Sequence, residues 1–254
     1  MMKTSFFILL LLLASCSKNA DKTQQNTVHP PDKEPVTEES ATIPGDFIIK
    51  NYSSDAVQLY LRELQQNVQH KNYNTPEIDS QHLTSTLKLL QTVYELNTPE
   101  TKYIFNTRKV HARHCFSTSS ILLKVDTTQP EIKQLAARKI PTGNRMLDNI
   151  LSKYQFDSVR LVYGYPQFNW LTINTTQSLN TIPIVDELKQ LPFILTAERN
   201  GGCIDGDDIV LAREQDAVKI IFSEGGGDCP AGCTFRKYWD FRVKNGVAVY
   251  LGAH

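Results

Sequence analysis

The sequence predicts an α+β fold, and three observations predict it. Two stretches between residues 53 and 96 repeat apolar residues at the 3.6-residue period of a helix. Residues 119 to 200 alternate strand and helix signals in the order β-α-β-β-α-β. Residues 203 to 254 switch to the two-residue period of antiparallel strands, with an Asn-Gly pair at one reversal.

The chain opens with an address. Lys3 precedes an apolar run of nine residues, Phe6 to Ala14, whereas a membrane-spanning helix needs about 20. Residues 1–15 therefore read as a signal peptide. The run ends Leu13-Ala14-Ser15-Cys16, which resembles the lipobox of bacterial lipoproteins. That resemblance implies cleavage before Cys16, lipidation of the cysteine by acyl chains such as palmitate, and, with Ser17 following, sorting to the outer membrane. Residues 16–45 have no aromatic residue and scatter Pro30, Pro31, Pro35 and Pro44 among Thr, Lys, Gln and Glu. Such a segment cannot offset its ordering entropy by burial, so it is expected to be a disordered tether. The expected location is the cell envelope, facing either the periplasm or the surface.

Residues 46–118 are expected to form a helical hairpin and a connecting strand. Val57, Tyr60, Leu61, Leu64 and Val68 follow the i, i+3, i+4, i+7 rule, and Ser53, Ser54 or Asp55 can cap the start. Leu83, Leu87, Leu90 and Tyr94 repeat the stripe after a break at "KNYNTPE". These stripes read as core.

Residues 119–201 are expected to form a separate module. "SILLKV" is a strand, "PEIKQLAARKI" and "NRMLDNILSKY" are helical around a break at Pro141, "SVRLVYGY" and "NWLTINTT" are strands about Pro166, "IPIVDELKQL" is a helix and "PFILTAE" a strand. This is the split βαβ order of ferredoxin-like folds. The stretch Tyr154 to Asn200 resembles the prodomain of subtilisin-like proteases. The resemblance implies inhibition by a free C-terminal tail laid into a protease. Here the chain runs on past Asn200, and no Gly-rich Ser, His or Asp signature follows, so the module reads as a reused scaffold.

Residues 202–254 are expected to be antiparallel hairpins. "DIVLARE" and "AVKIIFSE" flank Gln215-Asp216, and "FRKYWDFRV" alternates, with Phe235, Trp239, Phe241 and Val243 on one face. Arg236, Tyr238, Asp240, Arg242 and Lys244 share the other. Asn245-Gly246 then turns the chain into "VAVYLG", because both residues tolerate positive φ. Arg236, Tyr238 and Trp239 are the candidate binding surface. Gly227 to Val243, with Gly-Asp-Cys-Pro-Ala-Gly-Cys before a Tyr-Trp strand, resembles a C-terminal region recurring in Bacteroidetes-type lipoproteins, a region with no assigned activity.

Beyond the anchor, Cys115, Cys203, Cys229 and Cys233 remain, and outside the cytoplasm an even number is expected to pair. Four cysteines allow three connectivities; the preferred set is Cys229 with Cys233 and Cys115 with Cys203. A bridge closing about five residues contributes roughly 2 kcal/mol, one closing about 90 roughly 4.5 kcal/mol. The alternatives are zinc held by His111, His114, Cys115, Cys229 and Cys233, a Cys115 nucleophile beside His114, and calcium at Asp205, Asp207 and Asp208. "GGGD" lacks the Gly-Lys-Ser/Thr element of a phosphate loop and reads as turn residues. Lys plus Arg and Asp plus Glu number 27 each, so no basic field for nucleic acid is present.

The expected function is therefore noncatalytic. The chain reads as an envelope lipoprotein that binds or supports an unknown envelope protein or polymer, with the membrane as its partner through the lipid, no cofactor, and a protease-inhibitor or chaperone-like module as the alternative.

Overall fold

The computed structural model of the chain describes residues 43–254. The signal peptide, Cys16 and all of the tether but its last three residues lie outside the described residues. Among the described residues no helix is long and apolar enough to cross a membrane.

The first helix, α1 (Asp46–Gln66), starts well before the serines expected to cap it. Its N-cap is Gly45, which offers no side chain; instead the Gly45 N–H donates to Gln91 Oε1 at 3.0 Å, tying the start of α1 to the next helix. Ser53, Ser54 and Asp55 therefore lie inside α1, and Val68 lies beyond it, 60% exposed. Helix α2 (Ser80–Tyr94) is capped by Asp79, whose carboxylate accepts from the Gln81 and His82 N–H groups. A short α3 (Pro99–Lys102) runs into a π-helical segment, Tyr103–Arg108, that buries Ile104 and Phe105.

The connecting strand expected before residue 118 does not form. From Ala112 to Phe116 most of the backbone donors with a partner go to buried side chains instead of to a neighbouring strand. Ala112 N–H reaches Asp55 Oδ1, Arg113 N–H reaches Asp208 Oδ1 and Cys115 N–H reaches Gln58 Oε1. Asp55 and Gln58 come from α1, one turn apart, and their buried acceptors replace the missing ladder.

The middle of the chain follows the expected order: β1 (Ser120–Asp126), α4 (Pro130–Ala136), α5 (Arg145–Lys153), β2 (Ser158–Gly164), β3 (Phe168–Asn174), α6 (Ile182–Leu188) and β4 (Ile194–Arg199). The strands lie β2-β3-β1-β4, all antiparallel, which is the ferredoxin-like arrangement. Alternation does the sorting. Ile121, Leu123, Val125, Leu171 and Ile173 point to the face covered by Leu147, Leu151, Ile184 and Leu188 of the helices, and these residues form their own core.

The last block is a meander of β5 (Asp208–Arg213), β6 (Val218–Gly226), β7 (Phe235–Lys244) and β8 (Val247–Ala253), paired in sequence order. Its inner face carries Ile209, Ile220, Phe222, Trp239, Phe241 and Val243, and these pack on Ile48, Tyr52, Leu90, Ile104 and Phe105 of the helical segment in one core. Edge-to-face rings run across the seam: Tyr52 to Phe105 at 5.2 Å, Phe105 to Phe222 at 5.3 Å and Phe222 to Phe241 at 5.7 Å. The helical and C-terminal blocks, separate in sequence, thus share one interior. The ferredoxin-like module is inserted between them.

Cys115 and Cys203 stand at the two stems of this insertion, at disulfide distance with Cα atoms 4.4 Å apart. Between them the chain is close-packed: Ser117 N–H donates to Asn200 O, and Gly201 takes φ +141°. A Cβ at Gly201 would stand 2.5 Å from the Cys115 carbonyl oxygen, so the stem requires glycine.

Candidate functional site

Helix α1 presents Leu59, Arg62, Glu63 and Gln66 along one face, at spacings of three and four, toward β5 and the segment before Ser120. The result is a cleft of about 440 Å³ with Arg62, Glu63, Arg113, Asp208 and Arg213 in its walls. Its floor is organised by Asp208, 3% exposed at the start of β5. The Asp208 carboxylate accepts from Arg62 Nη1 and Nη2 at 3.0 and 2.9 Å, from Arg113 Nε at 2.9 Å, and from the Arg113 and Ile209 backbone N–H groups at 2.9 Å each. Two guanidiniums are thereby fixed in place by one buried acid.

At the rim, Arg213 donates from Nε and Nη2 to the two Glu63 oxygens at 3.2 and 3.0 Å. His82 Nε2 lies 3.2 Å from Glu63 Oε2. The hydrogen bond from His82, with Arg213 adding to it, holds the Glu63 carboxyl down at about 2 against desolvation, so Glu63 is ionised throughout the neutral range.

The acidic segment before β5 extends the network toward the second cysteine pair. Asp205 accepts from Arg113 Nη1 at 3.3 Å, from the Cys233 N–H at 2.8 Å and from Arg236 Nη2. Asp207 accepts from Arg108 Nη2 at 2.9 Å and from the Gly225 N–H at 3.0 Å. The Cys233 N–H, first among the causes, holds the Asp205 carboxyl below its ordinary range. Asp205 and Asp207 were candidates for calcium from the sequence. In the fold their oxygens face guanidiniums and amide donors, which is the wrong sign of partner for a cation.

The other sequence candidates disperse. His111 Nδ1 pairs with buried Asp55 at 3.0 Å and its ring stacks on Tyr52 at 4.9 Å. His114 Nε2 contacts Ser54 Oγ at 3.4 Å. Cys229 and Cys233, Cα atoms 3.8 Å apart, sit in the loop joining β6 to β7, and Cys115 faces Cys203. The two histidines and the cysteines therefore do not assemble into the zinc set that their spacing allowed, nor does Cys115 keep a free thiol for His114. Arg236, Tyr238 and Trp239 do not make one surface either. Trp239 is 2% exposed in the core, because it shares the inward face with Phe241, and Arg236 is taken by Asp205 and the Gly206 carbonyl. Tyr238 pairs with His254, backbone to backbone at 2.8 Å and ring to ring at 5.1 Å.

No family model, curated protein or solved structure matches the chain. The functional argument therefore rests on the cleft. None of Arg62, Glu63, Arg113, Asp208 or Arg213 forms a motif in sequence: Arg62 and Asp208 are 146 residues apart, Glu63 and Arg213 are 150. The available signal was the placement of Arg62 and Glu63 one helical turn from Leu59, on the edge of an apolar stripe.

Proposed function

We propose that this protein is an outer-membrane lipoprotein with a noncatalytic binding role, carried on lipidated Cys16 at the end of the 16–45 tether, and that the α1–β5 cleft is where it binds. The observation that carries the reading is the charge of that cleft: three guanidiniums (Arg62, Arg113, Arg213) against two carboxylates (Asp208, Glu63). Arg62 and Arg113 are held by Asp208, and Arg213 is half exposed at the rim. Planar, fixed guanidiniums suit a carboxylate or phosphate group, so the ligand is read as an acidic group on an envelope polymer or protein. The pairing of the four cysteines among the described residues supports a binding role over nucleophilic chemistry.

A protease-inhibitor role for the ferredoxin-like module is less well supported. Such an inhibitor needs a free tail after its last strand, whereas β4 leads through Gly201 into Cys203, which is held against Cys115. Titration against subtilisin-like proteases checks this directly, and slowed cleavage at micromolar excess would restore the idea.

A photo-reactive residue placed at Gln66, inside the cleft, is expected to capture a partner in living cells that the same probe at Val249, exposed on the far face of the sheet, does not. Arg213→Ala is expected to reduce the capture. Equal capture from both positions would sink the cleft as the binding site, and loss of a hydrolytic activity on changing one His, Asp or Cys would sink the noncatalytic reading. For the anchor, Cys16→Ser is expected to abolish labelling by a palmitate analogue; retained label would remove it.

A further inference from the structure

We propose that Glu63, His70 and His82 bind one divalent transition-metal ion, zinc by donor type, at the rim of the cleft. The three residues come from the last turn of α1, the turn that follows it, and the first turn of α2. One ligand atom from each lies within 4.8 Å of the others. Two ligands bound tetrahedrally to zinc stand about 3.4 Å apart, given metal–ligand distances of about 2.1 Å. His82 Nε2 and Glu63 Oε2, at 3.2 Å, already meet that spacing.

The donors select the ion. Two imidazoles and one carboxylate favour zinc, copper or nickel over calcium or magnesium, which prefer all-oxygen shells. Among the described residues no thiolate competes, since Cys115, Cys203, Cys229 and Cys233 are paired with one another.

A cation already occupies the crook of the site. Arg213 Nη2 donates to Glu63 Oε2 at 3.0 Å and stands 3.4 Å from His82 Nε2, so one positive group lies where the ion would sit. The Arg213 side chain is 49% exposed and reaches in from the end of β5, so it can swing into solvent. An ion entering the site takes the place of Arg213 and of the His82 Nε2 proton, which moves to Nδ1 or to solvent, so Glu63 is not left unpaired, and a free guanidinium returns to the cleft that Arg213 also lines.

The surroundings hold the ligands in place. Tyr60, fully buried, packs its ring 4.5 Å from His82 and 6.1 Å from His70. Asp79 caps α2 at the His82 N–H and accepts from Asn72 Nδ2 at 3.0 Å. The loop between the helices is pinned in turn by Asn180, whose Nδ2 donates to the Tyr73 and Thr75 carbonyls. His70 Nδ1 accepts from the Asn72 N–H at 3.1 Å. Loading either takes Nδ1 for the metal or moves the ring proton from Nε2 to Nδ1, and both routes break that hydrogen bond. The Asn72 amide is therefore a built-in reporter.

The test uses the full chain in detergent, stripped of metal, titrated with Zn²⁺ by calorimetry and with Co²⁺ by visible absorption. One equivalent is expected, with a Co²⁺ spectrum of nitrogen and oxygen ligation and faster hydrogen exchange at the Asn72 amide. Binding is expected to be lost in Glu63→Gln and His82→Ala, tightened in Arg213→Ala, and unchanged in His114→Ala. Absence of saturable binding at one equivalent, survival of binding in both ligand variants, loss of binding in His114→Ala, or an unchanged Asn72 amide would each overturn the proposal. Should His82→Ala fail to fold, Glu63→Gln and the wild-type spectrum and exchange still decide. The titration reads the ion alone, so its failure leaves the anionic-ligand reading of the cleft standing.

Discussion

Asp208 is the residue on which the charged cleft is most dependent, because it satisfies donors from α1, from the irregular segment and from its own strand. Asp208→Ala would leave Arg62, 17% exposed, without its counter-charge; Arg113 is a third exposed, and solvent screens its share. The expected loss is about 3 kcal/mol, read as a shift of the urea midpoint of the full chain. Two other groups set a pH window. Glu63 falls from its ordinary 4.5 to about 2, so its contribution is complete above 4.5 and is lost as pH drops toward 2. His111 is raised above its ordinary 6.5, chiefly by its hydrogen bond to Asp55, so its contribution is complete below 6.5 and is lost as pH rises through the folded-state value. Thermal midpoints should be flat between about 4.5 and 6.5 as far as these groups decide. Glu63→Gln should flatten the acid limb and His111→Asn the alkaline one, and unchanged limbs would show the assignments wrong. Little of this was legible in the sequence. His111 and His114 drew attention because they flank a cysteine, while Glu63, His70 and His82 carry no motif, since their meeting depends on the turn between two helices.

At the scale of the element, local chemistry was a good guide wherever a single residue type dictates the geometry. Asn245 and Gly246 take φ of 49° and 69°, as the reversal between β7 and β8 requires, and the flanking alternation sorts Trp239, Phe241 and Val243 inward. Gly246→Ala is expected to cost about 1 to 2 kcal/mol, the penalty of a side chain in the left-handed region, measured by denaturant unfolding. The strands and helices of the ferredoxin-like module were equally readable, because Pro141, Pro166 and the change of period mark their limits. The start of α1 was not readable. Ser53 and Ser54 look like caps, but Gly45 begins the helix through a bond to Gln91 that only the packed hairpin supplies. The expected strand before residue 118 failed for a similar reason: acceptors on α1 and β5 capture its amides.

Across the whole molecule, the module between Cys115 and Cys203 is a guest in a host assembled from residues 46–115 and 203–254. Local pattern could not reveal that, because Phe105 and Phe222 meet across more than a hundred residues. The two bridges should differ accordingly. Replacing Cys115 and Cys203 together by serine is expected to cost about 4.5 kcal/mol, against about 2 kcal/mol for Cys229 and Cys233, by urea unfolding of the two double variants. Gly201→Ala, which sets a methyl against the Cys115 carbonyl, should destabilise even with both bridges intact. The insertion also orders events at birth. Translation completes α1 and α2 long before Ile209, Phe222, Trp239 and Phe241 exist, while the main core of the guest draws only on its own stretch, with Ile182 and Asn180 reaching back to the earlier helical segment. Each newly made copy passes through a stage with the core of the guest complete and the greasy side of the helices bare. Aggregation threatens the nascent chain at that stage more than it threatens the finished protein.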